Sequence, residues 1–188
     1  MKHPFLFDPE KAVETILYIA NKVQGADFHR ISKLMYFADK IRLEEAGRFI
    51  CGDSYMAMKH GPVPCKTYDI LKSMRGDGLS VIESAKISFT VFDTNIVKPL
   101  READLDYFSD SDLECLDKVI SRQKFLRAKT FAWKSEYGEL SFWKLTELSH
   151  DSAWQSADEN DCIEIEQIVG TIANAELLLE HLKDRFPG

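Results

Sequence analysis

The sequence predicts an α+β fold that is mainly α-helical, a single compact helical domain spanning 1–188 with a small antiparallel β element. Three observations predict it. Apolar residues recur at three- and four-residue spacing over most of the chain, the period of a helix with one buried face. Only two stretches, near 54–59 and 79–100, alternate or concentrate β-branched and aromatic residues as strands do. The 188 residues are 45% hydrophobic and 29% charged, enough for one substantial core and outside the disordered range.

The first helix opens at "FDPEKAVETILYIANKV", where Asp8 caps, Pro9 suits the first helical position and Glu10 favours the positive end of the dipole. Val13, Ile16, Leu17, Ala20 and Val23 form its inner face, and Gly25 ends it. A second helix runs from about Asp27 to Glu45 and stops before Gly47. Ile31, Leu34, Ala38 and Ile41 make one stripe, widened by Met35 and Phe37, so this helix is expected at the centre. Arg30, Lys33, Lys40 and Arg42 are expected on its exposed edge.

"YMAMKHGPVPCKTYD" follows as a short strand, a sharp corner and a helix start. Tyr55 and Ala57 share one side of the strand, Met56 and Met58 the other. Gly61 tolerates a φ that other residues resist, while Pro62 and Pro64 fix φ and lack N–H donors. The third helix therefore starts only at or after Pro64, turns Tyr68, Leu71 and Met74 inward, and stops at Gly76. The Gly61, Pro62, Pro64 corner reads as a structural fitting that fixes the crossing from strand to helix, with Lys59 and His60 at its tip.

Residues 79–100 read as two or three short antiparallel strands, with turns at Ser84–Lys86 and Asp93–Asn95 and pairing to the strand at 54–59. Ser109 and Asp112 then form a capping box, with Phe108 and Leu113 as its hydrophobic staple. Leu113, Leu116, Val119 and Ile120 give that helix its buried face, and further helical stretches are expected at about 124–136 and 141–149, broken at Gly138. Asp151 is expected to cap a short helix carrying Trp154, with His150 in a local hydrogen bond. A C-terminal helix from about 162 to 185 closes the chain, although Gly170 within it costs about 1 kcal/mol relative to Ala. Its seam of Ile165, Ile168, Ile172, Ala175, Leu179 and Leu182 suits packing on the domain or against a second copy in a homo-oligomer.

The 24 Lys and Arg against 31 Asp and Glu give a net charge of −7, which argues against broad affinity for nucleic acid. Nothing approaches the roughly 18 apolar residues of a membrane span, and the start "MKHPFLFDPEK" lacks the apolar core of a secretory signal. Cys51, Cys65, Cys115 and Cys162 then read as reduced thiols of a cytoplasmic protein. Cys65 near a helix start, with His60 close in sequence, is the one nucleophile arrangement, and no third group orients the His. Ser149, His150 and Asp151 are adjacent, so their side chains diverge where a triad must converge. No metal-ligand spacing, EF-hand or phosphate-binding glycine loop is present, so no cofactor is expected. Lys118, Arg122, Lys124, Arg127, Lys129 and Lys134, interleaved with Phe125, Phe131 and Trp133, carry the alternative of a nucleic-acid-binding regulator. With no reactive constellation left, the chain reads as a binding module and not an enzyme.

The stretch "KLMYFADKIRLEEAGRFICGDSYMAMKHGPVPCKTYDILK" resembles the signature of the Panacea domain, the SocA-like antitoxin domain, through Lys33, Leu34, Tyr36 and Ala38, then Ala57, Lys59, Gly61, Pro62, Val63, Pro64 and Tyr68. "LTELSHDSAWQSA" is similar to a second family segment through Leu145, His150, Ala153 and Trp154. Met58 stands where family versions often carry Trp, and one residue separates the two prolines where they tend to carry two. The resemblance implies a non-enzymatic antitoxin, encoded beside a toxin gene and frequently in prophages, that neutralises a cognate toxin protein by direct protein–protein binding. Small alarmone synthetases are among the toxins it implies. Some members instead act as adaptors that deliver the toxin to a protease. Lys33, Tyr36, Lys59, His60, Tyr68 and Trp154 are the partner-binding residues this reading selects.

Overall fold

Asp8 opens α1 (Pro9–Lys22) as the sequence predicts, its carboxylate accepting the Lys11 N–H at 3.0 Å. The computed structural model describes residues 3–78, 82–129 and 142–186. Asp27 accepts the Arg30 N–H at 2.7 Å to open α2 (Phe28–Ala46), and Gly47 closes it in the left-handed region at φ 63. This helix lies between two apolar clusters. Ile31, Leu34 and Met35 pack with Ile16 and Leu17 of α1, while Tyr36 and Leu43 pack with Tyr55, Ile163, Ile168 and Leu182. Each fully buried aliphatic side chain contributes about 1.5–3 kcal/mol, so α2 is a main source of stability on both sides.

That central position corrects the expected solvent edge of α2. Lys33 is 1% exposed and Arg42 is 8% exposed, whereas Arg30 and Lys40 remain half-buried. A hairpin and a later helix cover Lys33, and the capping-box helix covers Arg42.

The hairpin is β1 (Tyr55–Met58) against β2 (Gly61–Pro64), in antiparallel register from Tyr55↔Pro64 to Met58↔Gly61. The reversal therefore falls at Lys59–His60, and the residues expected as a corner form a buried strand. Two prolines fit because of parity. The Cys65 N–H reaches the Ser54 oxygen at 2.9 Å, so alternate positions face β1, and Pro62 and Pro64 occupy those whose nitrogens point away. Beyond β2 begins α3 (Cys65–Arg75), whose N-cap, Pro64, supplies no side-chain acceptor. Asp53 supplies it from a distance, accepting the Thr67 N–H at 2.7 Å and the Lys66 N–H at 3.1 Å.

Residues 83–88, expected as strand and turn, form α4 (Glu83–Ser88), and 79–81 lie outside the described residues. Helix formers Glu, Ala and Lys fill this stretch, and it buries Ala85 and Ser88 at helical spacing. β3 (Phe89–Phe92) and β4 (Ile96–Pro99) are the strands of this region, joined through Asp93 and Thr94 at φ 45 and 74. They make a separate two-stranded sheet. β4 bridges to Asp27 at the mouth of α2 instead of pairing with β1.

The capping box opens α5 (Asp110–Lys129), with the Ser109 N–H on Asp112 Oδ2 at 3.1 Å and the Asp112 N–H on Ser109 Oγ at 3.3 Å. Asp112 also does more than cap. At 0% exposure it accepts Lys11 Nζ at 2.7 Å, Arg42 Nε at 2.8 Å and Arg48 Nη2 at 2.8 Å. Burial alone would push its carboxyl up, but the hydrogen bonds from Lys11, Arg42 and the Ser109 N–H hold it well below the usual carboxylate range. The stretch expected separately at 124–136 continues α5 through Lys129, and the rest of it, with the Gly138 break, lies outside the described residues.

α6 (Phe142–Ser149) and α7 (Ser152–Gln155) follow. The expected C-terminal helix divides into β5 (Cys162–Ile163), α8 (Ile165–Val169) and α9 (Ala175–Arg185). Pairing of Tyr55 with Ile163 gives the sheet order β2-β1-β5 and holds the first residues extended. Gly170 then ends α8, and Asn174 at φ 62 redirects the chain into α9. The predicted seam still packs inward, because all six of its residues belong to the second cluster.

Candidate functional site

The Lys59–His60 turn is where the family-like motifs meet. Lys33 rises from α2, and its Nζ donates to the Pro62 oxygen at 2.7 Å, on the edge of β2 that faces away from β1. Gly61 lets the hairpin come this close. It sits at φ 97, and a Cβ there would lie 2.2 Å from Ser149 Oγ and 3.1 Å from Lys33 Cε. Ser149 is itself fully buried and donates to the Thr146 oxygen at 2.9 Å. Burial pushes the Lys33 ammonium down to about 7. His29, one turn earlier and 2.9 Å from Thr146 Oγ1, is lowered to about 3 by burial and then by the neighbouring Lys33 and His60.

Asp151 organises the other flank. It caps α7 through the Ala153 and Trp154 N–H groups at 3.1 and 3.2 Å, accepts Lys40 Nζ at 2.7 Å, and accepts the Tyr36 hydroxyl at 2.9 Å. Tyr36 is fully buried, and burial followed by the Asp151 charge holds its hydroxyl protonated. Trp154 is thereby placed on the hairpin, where its Nε1 donates to the Met58 oxygen at 2.9 Å. His150 makes the expected local hydrogen bond through its backbone oxygen, which accepts Gln155 Nε2 at 2.8 Å, and not through its ring. The ring stacks on Trp154 at 3.7 Å with 2° between planes, and its Nε2 has no hydrogen-bond partner among the described residues.

Two cavities flank the turn. One of about 250 Å³ is lined by Phe28, His29, Lys33, Lys59, His60 and Tyr68, among others. The second, about 280 Å³, is lined by Ala57, Lys59, Trp154, Gln155, Ala157 and Glu159. Lys59 borders both and is exposed, while His60, Tyr68 and Trp154 are half-buried. Exposed Trp143 meets the His60 ring edge to face at 6.0 Å and extends the surface along α6. Of the residues selected from sequence, Lys59, His60, Tyr68 and Trp154 reach this surface. Lys33 and Tyr36 lie beneath it. The sequence reading missed His29, Ser149 and Asp151 as parts of one assembly. Only Asp151 carried a local signal, as a cap.

The reactive alternatives find little geometry. Burial pushes the Cys65 thiol up to about 11, the reverse of what a nucleophile at a helix start requires. Ser149, His150 and Asp151 point to Thr146, Trp154 and the α7 cap respectively, so they do not converge. Among the described residues no three His, Cys, Asp or Glu side chains gather as metal ligands, and no helix is long and apolar enough to cross a membrane. In the basic stretch Lys118 pairs with Glu45 at 2.7 Å, while Phe131, Trp133 and Lys134 lie outside the described residues.

The profile of the family described as Antitoxin SocA-like, Panacea domain matches residues 31–135. That span takes in α2 beyond its first turn, the hairpin and α3, and ends before the Trp154 segment. No curated protein and no solved structure matches the chain. With more than half of its length matched, the chain belongs to the SocA-like antitoxin family, the Panacea domain.

Proposed function

We propose that this protein is an antitoxin that neutralises a cognate protein toxin by direct binding, and that the surface around the Lys59–His60 turn makes the contact. One observation carries the reading. Lys59, His60, Tyr68 and Trp154 stand between two cavities on a hairpin fixed from beneath by buried Lys33 and Tyr36. A surface formed in advance lowers the ordering cost of association, and aromatic groups beside cations are the usual anchors of protein interfaces. In this reading Lys33, Tyr36, Gly61, Pro62 and Pro64 position the surface. The protein acts in the cytoplasm as one folded unit from 1 to 188, and a small alarmone synthetase-like enzyme is one class of toxin it would meet.

The test is co-expression with the product of the adjacent reading frame, scored by growth and by co-purification. The wild type should restore growth and retain the toxin. A Lys59→Glu, Trp154→Ala double variant with an unchanged circular-dichroism spectrum should bind about 30-fold more weakly or worse, the loss of one interface anchor. Full rescue by that variant would move the contact elsewhere, and rescue without co-purification would exclude direct capture.

A further inference from the structure

The hydrogen bond from Lys33 Nζ to the Pro62 oxygen is the one hydrogen bond of this ammonium among the described residues. The other two of its three donors have no acceptor among the described residues. A buried cation is ordinarily matched by a carboxylate, because an isolated interior charge is expensive to hold. Here none of the described acids forms an ion pair with Lys33, although it is 1% exposed. The charged and titratable groups that face it are His29 on α2, His60 at the hairpin turn and His150 before α7. Asp151, beside His150, is engaged by Tyr36 and Lys40.

The cavity that Lys33 lines has the same bias. Its described lining holds Lys33, Lys59, His29 and His60 and no Asp or Glu, in a chain of net charge −7. We propose that this cavity receives a single carboxylate of the partner protein, an Asp or Glu side chain or a chain end, which pairs with the Lys33 ammonium between Lys59 and His60. This rests on the reading that the Lys59–His60 surface meets a protein. Carboxylate fits better than phosphate because the described lining residues hold one interior lysine and no guanidinium fork. A volume of about 250 Å³ lies below the range of about 300–1,000 Å³ common for free small molecules and suits one inserted side chain.

Because burial holds Lys33 near 7, arrival of the carboxylate draws a proton onto it, and affinity falls as pH rises above that value. The full chain is titrated with sodium acetate against sodium chloride at equal ionic strength, at pH 6.5 and pH 9. Unfolding midpoint and the His29 and His60 NMR resonances are followed. Acetate should raise the midpoint and shift both resonances saturably at pH 6.5, and do neither at pH 9 or in Lys33→Met. A Lys98→Ala variant should behave as the wild type. Acetate should also displace the toxin from the wild type. The pH arm needs no substitution, so it stands even if Lys33→Met folds poorly. No acetate effect beyond chloride overturns the inference, as does tighter binding of inorganic phosphate than of acetate. A chain that neutralises its toxin equally well with Lys33→Met overturns the inference and leaves the antitoxin reading intact. A chain that takes acetate through Lys33 but never associates with the adjacent gene product overturns that reading and the partner half of the inference.

Discussion

Asp112 and Lys33 are both interior charged groups that touch α2, and they are built in opposite ways. Asp112 is ringed by Lys11, Arg42 and Arg48, so that one carboxylate ties α1, α2 and the following loop to the start of α5. Among the described residues Lys33 has a single backbone oxygen as hydrogen-bond partner and histidines around it. The first charge is spent on holding the fold. The second lines a cavity and, among the described residues, has one hydrogen-bond acceptor, which is why we propose that it meets a group from outside the chain.

The comparison breaks most visibly at Asp112. Asp112→Ala strands three cations and should destabilise the protein by about 3–5 kcal/mol in urea unfolding. A loss below about 1 kcal/mol would mean that the cluster is not a structural clasp. Its folded pKa is depressed, so its contribution is present above the ordinary carboxylate value near 3.9 and disappears as pH falls below it. Wild type and variant should therefore converge in acid.

Next in size is Gly61→Ala, which sets a Cβ against Ser149 Oγ at a φ of 97. A loss of roughly 2–3 kcal/mol is expected from backbone strain and collision together. Adding Ser149→Ala removes the struck atom and should recover part of it, a coupling of about 1 kcal/mol in a double-mutant cycle. Strict additivity would show that the hairpin does not press on α6.

Lys33→Met should have the smallest effect at neutral pH, within about 1 kcal/mol of wild type, since a near-isosteric apolar group replaces an unmatched charge. The sharper readout is the pH dependence. With its folded pKa lowered from 10.5 to about 7, Lys33 binds fewer protons folded than unfolded between those values. The wild type should therefore gain on the variant as pH rises from about 7 towards 10.5, by at most about 1.4 kcal/mol per unit. Parallel stability curves would mean that the ammonium is well matched inside the protein, like Asp112.

Much of this frame was legible from local signals. Asp8, Asp27, the Ser109–Asp112 box and Gly47 act within one turn of the helix they bound, so spacing alone locates them. Alternation likewise gave Tyr55 and Ala57 their inward side. What stayed hidden depends on contacts between residues far apart in sequence. A lysine at the edge of a helical stripe reads as solvated, and only the return of β2 and α6 over α2 buries Lys33. Asp53 caps α3 from beyond β1, and no spacing rule reaches that far. The six residues of α4 are too few to show a helical period against the β-rich residues around them. Cys162 and Ile163 are extended because β1 is there to pair with them.

Pro62 and Pro64 have one more effect. The outer rim of β2 offers no N–H at either position, and the Pro62 oxygen there is already occupied by Lys33. A foreign strand would find no N–H donor at Pro62 or Pro64 on that rim. Strand addition to the three-stranded sheet from that side, by a toxin or by another copy of this chain, is therefore disfavoured, and a partner that meets the β2 rim is recognised there through side-chain chemistry.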